Sequence, residues 1–116
     1  MEKWELDFNW LKIQHFIKDT MKVEEMPNLE TILFLLGLQE LGIIVTQMSK
    51  ERKVEVTTLG MCLILSQDGY FVKEGYDDEG WPVWKELKPF TPENDIEEDK
   101  ILKELTIRYF EEKYDL

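Results

Sequence analysis

The chain holds one histidine, His15, and one cysteine, Cys62. These are the side chains best suited to general-base and nucleophilic chemistry. An imidazole that activates a thiol needs to sit within hydrogen-bond reach of it, with a third group to orient the base. Carboxylates for that third role are plentiful, but no linked motif joins them to either residue. His15 shares a helical face with Trp4, Phe8 and Leu11, where a packed imidazole is the plainer expectation. Cys62 lies in Met61-Cys62-Leu63-Ile64-Leu65, an apolar run in which cysteine behaves as a small buried hydrophobe. One Cys and one His do not make a zinc site from soft ligands. No glycine-rich phosphate loop, GxSxG elbow or HExxH helix is present. The expectation is a non-enzymatic protein with no catalytic residue.

The run Asp77-Asp78-Glu79-Gly80 could hold calcium, which takes several oxygen ligands. Aligning Gly80 with the invariant glycine of a calcium-binding loop puts Glu86 at the last position but Gly75 at the first, which removes a key ligand. A solvated hairpin turn is the better expectation, with no metal and no cofactor. Trp81-Pro82-Val83-Trp84 follows directly. Tryptophan is enriched at binding hot spots and a hairpin edge can dock a partner, although large aromatics also close cores.

These residues must be carried by elements. The stretch Asn28 to Gly42 contains Ile32, Leu33, Phe34, Leu35, Leu36 and Leu38, apolar on every side of a helix. Asn28 can cap its start, Glu30 suits the positive end of its dipole, and Gly42 can end it. The expectation is a central core helix over 29–41, too short to span a bilayer. Residues 4–10 alternate like a strand, yet also fit a helix, with Trp4, Phe8, Leu11 and His15 on one face and Leu6, Trp10, Ile13 and Ile17 on the opposite one. A helix is expected from about Asn9 to Met21, the segment before it extended or helical. Pro27 marks residues 22–27 as a connector, and Ile43 to Met48 forms a short apolar link.

Ser49 can cap a third helix over 50–65. The β-branched Val54, Val56, Thr57, Thr58 and Ile64, with Gly60, equally permit strand there. Asp68-Gly69 marks a turn, and residues 70–87 read as a hairpin whose second strand holds Pro82 and so lies at an edge. Residues 88–92 form a stiff linker. Asn94 or Thr91 caps a last helix over 95–114, with Ile101, Leu102, Leu105 and Tyr109 on one stripe and Ile107, Phe110 and Tyr114 on another.

The stretch Asn28 to Gly42, with Asp68-Gly69-Tyr70-Phe71 and Gly75 to Trp84, resembles a group of small acidic proteins of Bacteroidetes-type bacteria. The likeness covers most of the chain and implies a helix over 50–65, although Val56-Thr57-Thr58 departs from the group there. It carries over no catalytic or binding residue.

At 116 residues the chain has the usual size of one domain and can bury a real core. Its 43% hydrophobic and 34% charged content reads as folded. Met1-Glu2-Lys3-Trp4-Glu5 lacks an apolar h-region, and a lone cysteine suits a reducing cytoplasm. The net charge of −11 disfavours nucleic acids and anionic membranes. The expected fold is therefore mostly α, a bundle of about four helices with a short β-hairpin in one domain over 1–116. The alternative is α+β with a small antiparallel sheet.

Functionally, the expectation is a protein–protein interaction module or small acidic subunit, self-associating or bound to another protein. Each terminal helix carries one apolar stripe more than a single core requires. The candidate partner-binding residues are Trp4, Phe8, Leu11, Trp81, Trp84, Phe110 and Tyr114. The alternative is a pocket for a small molecule or peptide, lined by Trp10, Tyr76, Trp81 and Trp84.

Overall fold

The computed structural model describes residues 1–42 and 47–116. It is mostly α: helices α1 (Lys3–Met21), α2 (Leu29–Leu41), α3 (Lys50–Leu65) and α4 (Asp95–Tyr114) accompany one antiparallel hairpin, β1 (Phe71–Tyr76) and β2 (Pro82–Glu86). No helix among the described residues is long and apolar enough to cross a membrane. The chain forms two compact units, residues 1–29 with 92–116 and residues 30–91.

In the first unit α1 packs against α4. The α1 helix starts at Lys3, six residues before the expected Asn9. Continuing the helix through residues 4–10 aligns Leu6 and Trp10 with Ile13 and Ile17, and all four are buried. A strand over the same residues would break that stripe. Glu5 steadies the first turn, its Oε1 accepting from the Glu2 N–H at 3.3 Å. Lys22 ends α1 in the left-handed region at φ 55°. Beyond it, Gln14 Nε2 donates to the Pro27 carbonyl at 2.8 Å and ties the connector back to the helix.

Asn94, of the two caps expected for α4, is the one used: its side chain accepts from the Glu97 N–H at 2.9 Å. The Glu93 N–H in turn donates to the Glu97 carboxylate at 3.2 Å. Leu102, Leu105, Ile107 and Phe110 are all buried, so most of both apolar stripes of α4 is inside, with Tyr114 exposed at the end of one. Thr106, also fully buried, donates a hydrogen bond from its hydroxyl to the Leu102 carbonyl at 2.7 Å, which removes the cost of an orphaned donor. Phe16, Phe110 and Tyr114 close one end, with ring centroids 5.0 to 6.2 Å apart.

The second unit is built on a close crossing of α2 and α3. A Cβ added at Gly37 would lie 1.9 Å from the Val56 carbonyl oxygen, and one added at Gly60 would lie 2.0 Å from that of Leu33. Each helix thus offers a glycine to the backbone of the other, and only a residue without Cβ allows that approach. This settles residues 50–65 as helix: Gly60, unfavourable for an isolated helix, is what seats α3 on α2. The β-branched Val56 and Ile64 are fully buried in that packing. Ser49 caps α3, accepting from the Arg52 N–H at 3.2 Å.

Of the apolar link at 43–48, residues 43–46 lie outside the described residues; Gln47 and Met48 run into Ser49 without regular structure. A single 3₁₀ turn (Ser66–Asp68) ends at Gly69, φ 78°, and feeds β1. The hairpin pairs Phe71 with Glu86, Lys73 with Trp84 and Tyr76 with Pro82. A bulge lies between Lys73 and Gly75, the latter at φ 135°. That extra residue resets the alternation, so Lys73 and Tyr76 fall on one face of the sheet with Trp84 and Pro82. The opposite face shows Val72, Val83 and Lys85 to solvent.

Candidate functional site

His15 and Cys62 fall in different units, His15 exposed and Cys62 buried. Burial, and secondarily the negative charge of Glu86, push the Cys62 thiol up to about 11. A thiol in that state is largely protonated at neutral pH, which makes it a poor nucleophile. Among the described residues no group of three or more His, Cys, Asp or Glu side chains could hold a metal.

The acidic turn spends its first carboxylate on itself. Asp77 Oδ1 accepts from the N–H groups of Glu79 and Trp81, each at 2.9 Å, while the Asp77 N–H donates to the Trp81 carbonyl at 2.8 Å. Gly80, at φ 84°, closes the turn by donating to the Asp77 carbonyl. Asp77 is a turn former of the kind that short side-chain acceptors make.

The candidate partner-binding residues separate into three environments. On α1, Trp4, Phe8 and Leu11 stand in solvent at 69%, 63% and 47% exposure, continued by exposed His15. Phe110 is the opposite case, 5% exposed and ringed by Phe16, Tyr109 and Tyr114. It belongs to the core and offers nothing to a partner; the expectation of an open stripe on the last helix was too wide by that residue. Tyr114 sits at the rim, its ring stacked at 21° on Phe110 with Lys113 Nζ 5.7 Å from its centroid.

Trp81 and Trp84 are half-buried on the hairpin. The Arg52 guanidinium of α3 lies 4.7 Å over the Trp81 ring. Lys73 Nζ lies 5.3 Å from the Trp84 ring and 5.7 Å from that of Tyr76, and it bonds Glu40 of α2 at 2.6 Å. The Glu40 hydrogen bond is the main cause of the raised Lys73 pKa. The Arg52–Trp81 contact ties the hairpin to α3 and the Lys73–Glu40 ion pair ties it to α2, while Lys73 over Trp84 and Tyr76 links the two strands. Trp84 Nε1 is buried and meets no acceptor among the described residues.

Trp10 lies in the first unit, under Lys103 Nζ at 5.4 Å, whereas Tyr76, Trp81 and Trp84 lie in the second. The second unit has an open groove of about 410 Å³ between Glu30 and the α3 side chains Lys50, Lys53, Val54, Thr57, Thr58 and Met61. None of the tryptophans lines it. Both threonine hydroxyls are already committed, to the carbonyls of Lys53 and Val54 at 2.8 Å. Sequence reasoning did not find the Lys73–Glu40 pair. Its only trace is Gly75 between Lys73 and Tyr76, the residue type that permits a bulge.

The apolar row Trp4, Phe8 and Leu11 on α1, continued by His15, is exposed to solvent. Comparison with protein-family models, with curated proteins and with solved structures finds no match for the chain.

Proposed function

We propose that the protein is a non-enzymatic interaction module whose docking surface is the row Trp4, Phe8 and Leu11 on α1. The observation that carries this reading is the exposure of two aromatic rings and a leucine in consecutive turns of one helix whose opposite face is buried. Isolated exposed hydrophobes are ordinary, but a contiguous row of this kind marks an interaction site. Trp and Phe bury large areas with few rotatable bonds, which is why they anchor interfaces. The inert Cys62 and the self-satisfied Asp77 turn support a role without chemistry.

The test is affinity capture from the source cells with the wild-type chain and with Trp4→Ser/Phe8→Ser as parallel baits. Proteins retained by the first and lost by the second, a second copy of the chain included, support the reading. Identical recovery from both, or none from either, overturns it. A second reading rests on the buried, unpartnered Trp84 Nε1 beside Lys73: a small polar ligand that accepts from this N–H. Saturable quenching of tryptophan fluorescence by a metabolite, lost in Trp84→Phe, would favour it.

A further inference from the structure

We propose that the α1 row is the two-fold interface of a homodimer, with α1 antiparallel to α1 of a second copy. This rests on the reading of that row as a docking surface and names its occupant.

Trp4, Phe8, Leu11 and His15 recur at steps of four, three and four residues, the spacing of the seam along which two helices interdigitate. The buried residues Leu6, Trp10, Ile13 and Ile17 repeat the same steps on the opposite face. The helix thus has two seams, one buried and one exposed.

Charge selects the occupant. The chain carries net −11, yet α1 is balanced, with Lys3, Lys12 and Lys18 against Glu5, Asp7 and Asp19. By contrast α4 is strongly acidic, opening with Asp95, Glu97, Glu98 and Asp99. A basic partner would be drawn to those carboxylates rather than to a neutral apolar row. A second α1 meets the row without local repulsion.

The rim of the row then fixes the direction. With the helices antiparallel, Phe8 packs on Leu11 and Trp4 on His15 of the other copy. The flanking Glu5 faces Lys12, and by symmetry Lys12 faces Glu5, so one surface is its own complement. The antiparallel arrangement also opposes the two helix dipoles. A parallel arrangement would stack His15 on His15. Lys12 Nζ already reaches across its helix face to the Leu116 carbonyl oxygen at 3.1 Å. Glu5 keeps one carboxylate oxygen on the Glu2 N–H, and a carboxylate has a second oxygen to offer.

Sedimentation equilibrium of the full chain, with Lys12→Glu, Glu5→Lys and their mixture, tests this. Wild type is expected to dimerise reversibly with Kd of about 10–100 µM, as befits a small interface. Each single reversal sets like charges against each other twice and should weaken its own homodimer about tenfold. Mixing the two variants should restore association to within about threefold of wild type, because every Glu5–Lys12 contact becomes complementary again with its signs exchanged. Circular dichroism melts verify that each variant is folded, and Lys12→Gln, which leaves the Glu5 turn untouched, is expected to weaken the dimer in the same direction.

Reversals without effect, or a mixture that fails to associate, overturn the antiparallel pairing. So does rescue of Lys12→Glu by Asp7→Lys, which would indicate parallel helices. A wild type monomeric throughout overturns the second copy as occupant. The docking reading itself then stands or falls separately, on whether capture of another protein depends on Trp4 and Phe8.

Discussion

At the scale of single residues, the fold shields the one cysteine and leaves the one histidine exposed. Cys62 is buried in α3 with its thiol pushed up to about 11, by burial first and by the charge of Glu86 second. Native labelling by a thiol reagent near neutral pH should therefore be about a hundredfold slower than labelling in denaturant, in proportion to the thiolate fraction. Rapid native labelling would restore a reactive thiol and undercut the non-enzymatic reading. The same shift has a consequence for stability. A thiol that ionises near 9 in the unfolded chain and near 11 in the folded one binds its proton more tightly when folded. Its contribution is complete below pH 9 and is lost as pH rises through 11. The thermal midpoint should fall over that window, and Cys62→Ala should remove the part of the fall that belongs to this thiol.

At the scale of elements, legibility depended on whether the deciding interaction was local. The caps of α3 and α4 were readable because Ser49 and Asn94 act within their own first turns. The hairpin was readable because Asp77 and Gly80 shape the turn by themselves. The start of α1 was not, because alternation in residues 4–10 is overruled by burial of Leu6 and Trp10 in register with Ile13 and Ile17. The same non-local packing accounts for Phe110, whose stripe looked surplus until Phe16 and Tyr114 were seen beside it. Among the site residues, Trp4, Phe8 and Leu11 were legible as a surplus helical face, and all three are exposed. Gly60 shows the principle best. In an exposed helix, Gly→Ala stabilises by about 1 kcal/mol. Here the added Cβ of Gly60→Ala would lie 2.0 Å from the Leu33 carbonyl oxygen, and that of Gly37→Ala 1.9 Å from the Val56 oxygen. Both substitutions should destabilise, by about 3 kcal/mol, because α2 and α3 must part to admit the methyl group. Urea unfolding of the two variants checks the sign, and a gain in stability from either would mean that the helices do not cross at these glycines.

For the molecule as a whole, the governing quantity is the charge of −11, which is unevenly distributed: −3 over residues 1–58 and −8 over residues 59–116. A net charge so far from zero opposes close approach of copies at low salt and strains the folded chain through its own repulsion. The ion pairs seen are small offsets. Arg52–Glu55 and Lys103–Asp99 lie along single exposed helix faces, where such pairs contribute about 0.3–0.5 kcal/mol. Salt therefore acts on two opposing terms. It screens the global repulsion, which extends over the whole surface, and it also screens the local attractions. At about 0.15 M the screening length is roughly 8 Å, shorter than most separations between surplus carboxylates but longer than the 2.6 Å contact of Lys73 with Glu40. The repulsive term loses more. The melting temperature should rise by several degrees between about 10 mM and 0.15 M NaCl, an interval over which the Debye length falls from about 30 to 8 Å. Because an apolar seam is not weakened by salt, self-association through α1 should strengthen over the same interval. Parallel melts and sedimentation runs across this range check both. A melting temperature that falls with salt would show that local ion pairs outweigh the net charge; association that weakens with salt would show a contact held by charge rather than by Trp4, Phe8 and Leu11.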